Sequence, residues 1–108
     1  MIMPGVVVGV EAISNRASQL PHIGLDAPKR LVGTNTIDCM KSGAIYGNAA
    51  MLDGIVERVT EELGEAPTVV ATGGLARVIV PHCRRKIICD DNLMLKGLLI
   101  VYNKNKRG

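Results

Sequence analysis

The stretch PTVVATGGLARVIV, Pro67 to Val80, decides how the chain is read. Thr68, Val69, Val70 and Ala71 form an uncharged, β-branched run, which predicts a strand buried on both faces. From Leu75 the pattern predicts a short helix, stopped by Pro81. Thr72, Gly73 and Gly74 therefore fall at the carboxyl end of a strand. Open α/β sheets bind ligands there, because glycine lets the backbone come close and the helix that follows offers free N–H groups. Taken alone, the glycine pair reads first as a tight strand-to-helix turn.

Composition bounds what such a turn can serve. The 108 residues, 47% of them hydrophobic, suffice for one small domain and not for two. With two Tyr, no Phe and no Trp, the core has to be built from Val, Ile, Leu, Met and Ala. The lack of stacking aromatics argues against single-stranded nucleic acid as a ligand. The net charge of +3 is modest, and its basic clusters, Arg84-Arg85-Lys86 and Lys104, Lys106 and Arg107, read as solvated surface and chain end.

Cys39, Cys83 and Cys89 leave one cysteine over in any disulfide scheme and fit no zinc spacing, and His82 beside Cys83 with a distant His22 supplies no second ligand pair. Reduced cysteines in a cytoplasmic protein are expected. The apolar runs are broken by Pro4, Asp53 or Lys96, well short of the ~18 residues that would span a bilayer. No Lys or Arg precedes Val6 to Val10, so the start lacks the basic opening of a signal peptide.

Outward from the glycine turn, the other elements follow from spacing. Val6, Val10, Ile13, Ala17 and Leu20 predict a helix from Val6 to Leu20, after Pro4-Gly5 and before Pro21. Pro21 to Val32 reads as an extended connector. Ile37, Met40, Ala44, Met51, Ile55, Val59 and Leu63 lie near one helical stripe and predict a long helix from Thr36 to Leu63, with Gly64 as its stop. Gly43, Gly47, Ala50 and Gly54 share one side of it. Each glycine costs on the order of 1 kcal/mol relative to Ala, so close approach of another backbone, from the core sheet or a partner subunit, is expected there. A break into two helices at Gly54 is the alternative. Lys86 to Cys89 predicts a second short strand, and Leu93 to Tyr102 a closing helix whose apolar positions cover a core.

In this order and at these distances, MPGV (Met3–Val6), LP (Leu20-Pro21), VGTNTIDCMKSGAIYG (Val32–Gly47), VVATGGLA (Val69–Ala76) and DDNLMLKGLLIVYNKN (Asp90–Asn105) form a specific set. Together they resemble the carboxyl-terminal part of type III pantothenate kinases, of the actin and sugar-kinase superfamily. The resemblance covers nearly the whole chain. It implies an α/β fold, helix-rich with a short sheet, with residues 1–108 a single fragment making up most of the carboxyl-terminal ribonuclease-H-like domain. Thr72, Gly73 and Gly74 match the glycine turn that approaches the adenosine side of ATP. Thr36, after Asn35, matches the threonine that hydrogen-bonds pantothenate, the local alternative being a helix N-cap. Pro4 and Gly5 match the Pro-Gly at the cleft edge, the alternative being a turn before a helix. Lys41 stands where the family leads one to expect Gln.

Phosphoryl transfer also needs donors around the phosphates, usually a metal, and a carboxylate to take the hydroxyl proton. In the family these come from an Asp-x-Gly-Asn-Thr loop, a Gly-x-Asp-Arg segment and an Asp-x-Gly-Thr loop, all preceding the Pro-Gly. None of Asp26, Asp38, Asp53, Asp90 and Asp91 sits in such a context: Asp53 lies within the long helix, and Asp90 and Asp91 precede the last one, as charges suited to its dipole. The chain is therefore expected to hold no catalytic residue and no ligand for the monovalent and divalent cations of the family, and to be inactive alone. It is read as part of a homo-oligomeric, cytoplasmic kinase with ATP and pantothenate as partners, and with neither nucleic acid nor membrane. A non-catalytic nucleotide- or pantothenate-binding module, or one subunit of a split kinase, are the alternatives.

Overall fold

A computed structural model of the chain describes residues 1–16 and 22–107. Helix α1 runs over Val6–Arg16. The expected positions Ala17, Leu20 and Pro21 lie outside the described residues. Residues 22–35 form the extended connector foreseen from Gly24 and Pro28. The helical path expected from Thr36 to Leu63 is continuous but not uniform. It consists of α2 (Thr36–Ser42), a π-helical turn (Gly43–Gly47) and α3 (Asn48–Leu63). Gly54 does not break it. Gly64 ends it in the left-handed conformation, φ 77°, its N–H on the Thr60 carbonyl at 3.0 Å.

The sheet is shorter than its sequence suggests. Strand β1 is Val70–Ala71 and β2 is Ile88–Cys89, paired in parallel with Val70 opposite Ile88. Between them lie α4 (Ala76–Ile79) and a 3-10 turn (Val80–His82) that accommodates Pro81 without stopping the turn of the chain. Thr68 to Ala71 is not buried on both faces, since Val70 is 44% exposed. A two-stranded ribbon with no layer over its outer face has nothing to cover it.

A larger correction concerns the last helix. Helix α5 extends from Leu93 to Arg107 and covers no core among the described residues: Leu98, Leu99, Ile100, Val101 and Tyr102 are each more than half exposed. Its start is firmly tied. Asp90 accepts from the Asn92 N–H at 3.0 Å and pairs with Lys96 at 2.9 Å, and Asp91 pairs with Arg77 at 2.8 Å. The Lys96 contact, then the Asn92 N–H, hold the Asp90 carboxyl below its ordinary range. A carboxylate depressed in the folded chain contributes stability above its unfolded pKa and loses it as pH falls through the lower folded value.

The core is small. Ile45 and Ala49, at the π turn and the start of α3, pack on Ile79 of α4, with Val6, Ala27, Leu52, Val78 and Cys83 around them. The radius of gyration, 17.3 Å, exceeds the roughly 13 Å of a compact domain near this length, and the extents are 58 × 33 × 23 Å. The connector is strapped to the helical path by three contacts: Lys41 with Asp26 at 2.8 Å, the Tyr46 hydroxyl on the Pro28 carbonyl at 3.4 Å, and the Ser42 hydroxyl on the Leu31 carbonyl. Lys41, unusual by the family pattern, thus has a tethering partner.

On the other side of α3, the Asp53 carboxylate accepts both the Arg84 N–H at 2.8 Å and the Arg85 N–H at 2.9 Å, holding the approach to β2. Charge-assisted bonds of this kind are stronger than neutral ones. The Arg85–Glu57 pair at 3.3 Å, half-exposed on both sides, adds little. Asp53→Ala is expected to lower stability by about 1–3 kcal/mol, read as a shift in the urea midpoint by circular dichroism. An unshifted midpoint would show that the 84–86 segment is held by other contacts.

Candidate functional site

Two adjoining cavities open beside the helical path. The larger, about 850 Å³, lies between α1, the Gly33–Thr36 loop and the α2–π–α3 face. Pro4, Gly5, Asn35 and Thr36 line it, so two of the segments singled out from the sequence meet on one wall although some thirty positions separate them. The smaller, about 310 Å³, lies between the Pro4–Val6 segment, α3 and the β1–α4 connection, and Thr72 is on its wall. Pro4, Gly5, Val6, Asn48 and Met51 border both.

The Gly33–Thr36 loop is shaped by one close approach and one cap. A side-chain carbon at Gly33 would lie 2.7 Å from the Cys39 backbone nitrogen and 2.8 Å from its sulfur, so only glycine lets the loop fold onto the start of α2. Asn35, not Thr36, is the N-cap: its amide oxygen accepts from the Asp38 N–H at 2.9 Å and its amide nitrogen donates to the Asp38 carboxylate at 3.0 Å. The Thr36 hydroxyl is thereby left without an intramolecular partner among the described residues, and it stands on the cavity wall. Sequence spacing alone did not separate these two roles, because Asn and Thr both serve as caps.

At the glycine turn, Gly73 takes φ +104° and its carbonyl accepts the Ala76 N–H at 3.2 Å. That positive φ is a backbone requirement for glycine. Gly73 and Gly74 are exposed, with open space where a side chain would stand, and they sit beside the smaller cavity rather than on its wall. Space is equally open over Gly43, Gly47 and Gly54, so no backbone of the described residues makes the close approach expected along that stripe.

Asn48, which the sequence reading did not single out, and Met51, which it placed only on the apolar helical stripe, are wall residues. The only signal was their position one turn and two turns after Ala44 on the cavity side of the helix. No Lys or Arg among the described residues borders either cavity. Among the described residues no three His, Cys, Asp or Glu side chains gather as a metal site. Cys83 is half-buried beside α3, its sulfur 3.8 Å from the Ala49 and Ile79 carbonyls. Burial first, and then the charge of Asp53, push its thiol pKa up, which suits a packing role. His82 packs edge-on against Tyr46, ring centres 5.2 Å apart.

A family model for type III pantothenate kinase matches residues 1–58. The chain is 45% identical over 104 residues to a type III pantothenate kinase of Syntrophus aciditrophicus, covering 96% of this chain and 41% of that relative. It is 47% identical over 107 residues to one of an Exiguobacterium species, covering 99% of this chain and 42% of that relative. With one of Halalkalibacterium halodurans it shares 45% identity over 105 residues, 97% and 41% of the two chains. The chain thus spans about two-fifths of the length of the curated relatives it matches.

Two glycines on the walls of the larger cavity should respond in opposite ways to the same change. Gly33→Ala has to push the loop off Cys39 and is expected to destabilise by about 1–3 kcal/mol. Gly43→Ala adds a side-chain carbon to a helical position in open space and is expected to stabilise by up to about 1 kcal/mol. Urea unfolding of both variants tests the pair, and a neutral Gly33→Ala would show that the close approach to Cys39 is not required.

Proposed function

The chain belongs to the type III pantothenate kinase family, and we propose that it supplies the acceptor pocket and the adenosine-side wall of a kinase that moves the γ-phosphoryl group of ATP onto the primary hydroxyl of pantothenate, the first step of coenzyme A synthesis. The observation that carries this reading is the larger cavity, where Pro4-Gly5 and Asn35-Thr36 share a wall. Its volume is within the range of small-molecule sites, roughly 300–1,000 Å³. Its walls are mainly apolar, with hydroxyl and amide groups at a few points, which suits an acceptor with a dimethyl-substituted carbon, an amide and hydroxyls.

In this reading Thr36 offers its unpartnered hydroxyl to pantothenate, and Asn35 holds the loop that presents it. Pro4 and Gly5 form the edge between the two cavities. Thr72, Gly73 and Gly74 approach the adenosine, with Thr72 on the wall and the two glycines leaving room for a ribose or purine. Among the described residues no Lys or Arg lies on these walls, and in this reading the phosphates and their cations are handled by other residues of the kinase. The architecture assigned is most of a ribonuclease-H-like domain of the actin and sugar-kinase superfamily, acting in the cytoplasm.

The same reading makes the protein a homo-oligomer. The apolar side of α5, the open edges of the two-stranded sheet and the uncovered glycine stripe along the π turn and α3 are surfaces that a second chain could close. Sedimentation at micromolar concentration is expected to show a dimer or larger species. A single monomeric species unfolding cooperatively would count against that assembly.

Thr36→Val removes the hydroxyl while keeping the side chain's shape. Pantothenate binding, followed by titration calorimetry on this chain, is expected to weaken by about 1–3 kcal/mol, with ATP binding unchanged. Loss of stability with unchanged pantothenate affinity would make Thr36 a structural residue only.

A further inference from the structure

Of the residues that border both cavities, Asn48 alone has a polar side chain. It is half-buried at the first position of α3, directly after the π turn. Its amide nitrogen donates to the Ala44 carbonyl one turn back at 2.7 Å. A carbonyl only accepts, so the nitrogen has to face Ala44 and the amide oxygen has to face away from it. That oxygen has no protein partner among the described residues. The wall around it is formed by Pro4, Gly5, Val6 and Met51, none of which offers a side-chain donor. No buried side-chain polar atom of the described residues lacks a partner, so this oxygen is open to the cavity and within reach of a donor from a ligand or a water.

We propose that Asn48 is the residue that reads the acceptor's hydroxyl where the two cavities meet. This rests on the assignment of the cavities above and adds to it the group that orients the reacting end. Phosphoryl transfer requires the acceptor hydroxyl and the nucleotide's terminal phosphate to come together, and the only ground common to both cavities is the wall that Asn48 shares. The amide oxygen accepts the hydroxyl's hydrogen and aims an oxygen lone pair towards the second cavity. Asn48 takes no proton, since a carboxamide is not a base at neutral pH. It is a positioning and specificity residue. At the end of the π turn the Asn48 backbone N–H bonds to the Ile45 carbonyl while its side chain donates to the Ala44 carbonyl, which fixes the amide in one orientation. Single π turns inside α-helices are frequent at functional sites.

The test compares pantothenate with its analogue in which the primary hydroxyl is replaced by hydrogen, titrated into the chain and into Asn48→Leu, Asn48→Ala and Thr36→Val variants. Nuclear magnetic resonance reports both the affinity and the Asn48 side-chain amide signal. The unsubstituted chain is expected to prefer pantothenate about tenfold, the usual scale for one hydrogen bond to a buried acceptor, and the Asn48 amide signal is expected to shift with pantothenate and not with the deoxy analogue. Both Asn48 variants are expected to lose the preference, while Thr36→Val keeps it at lower overall affinity. Asn48→Leu preserves the volume of the wall, so loss of preference there is not loss of the cavity. If the unsubstituted chain binds pantothenate but shows no preference, or if the Asn48 variants retain it, the role of Asn48 is overturned and the pocket assignment stands. If the unsubstituted chain binds neither compound, the pocket assignment fails and this inference with it.

Discussion

Everything that positions the two cavities depends on one contact, the packing of Ile45 and Ala49 against Ile79. Ile45 is fully buried, and burying such a side chain contributes about 1.5–3 kcal/mol. The contact joins the α2–π–α3 path to α4, and α4 carries the glycine turn at its start. Since the Gly33–Thr36 loop is capped onto the start of that path and Thr72 lies just before α4, the spacing between the walls of the larger and the smaller cavity is set by this interface. A core so small leaves little reserve. The polar ties made by Lys41, Ser42 and Asp53 therefore matter to the shape of the site more than surface contacts do in a larger domain.

The extent to which the sequence was legible follows the range of the interactions involved. Gly64 as a helix stop, the glycine requirement at Gly73 and the start at Thr36 are local matters of backbone conformation and capping, and they could be read from a few neighbouring residues. Which of Asn35 and Thr36 caps the helix could not be, because both side chains can reach a free N–H. The π turn was invisible for a related reason: a single widened turn leaves the apolar stripe from Ile37 to Leu63 nearly undisturbed. The burial of strands and of α5 failed to follow the apolar content of their residues. Hydrophobic patterning shows which face seeks cover, not whether this chain supplies the cover.

Helix α5 makes that distinction concrete. Leu98, Leu99, Ile100, Val101 and Tyr102 form an apolar run that the described residues leave in contact with water, and the start of the same helix is fixed by Asp90, Asp91 and their cationic partners. A helix anchored at one end and uncovered along its length has its direction fixed before it has a partner. The open space over Gly43, Gly47 and Gly54 has the same character. A glycine stripe lowers helix stability unless something packs closely on it, and nothing among the described residues does. With the chain spanning about two-fifths of its curated relatives, these faces are where a further polypeptide would bury area.

The division of labour at the site follows from its charge. Among the described residues, both cavities are bounded mainly by apolar side chains, hydroxyls and amides, and neither by Lys or Arg. Such walls discriminate among neutral groups by shape and by single hydrogen bonds, but they cannot offset the charge of a triphosphate, for which a desolvated anion needs cations or many N–H donors. The walls are therefore suited to neutral, partly apolar groups, and a strongly anionic group placed against them would need its counter-charge from other residues. Among the described wall residues, the Thr36 hydroxyl and the Asn48 amide offer single hydrogen bonds and the Pro4-Gly5 edge offers shape, and a surface of this kind selects by those two means rather than by charge.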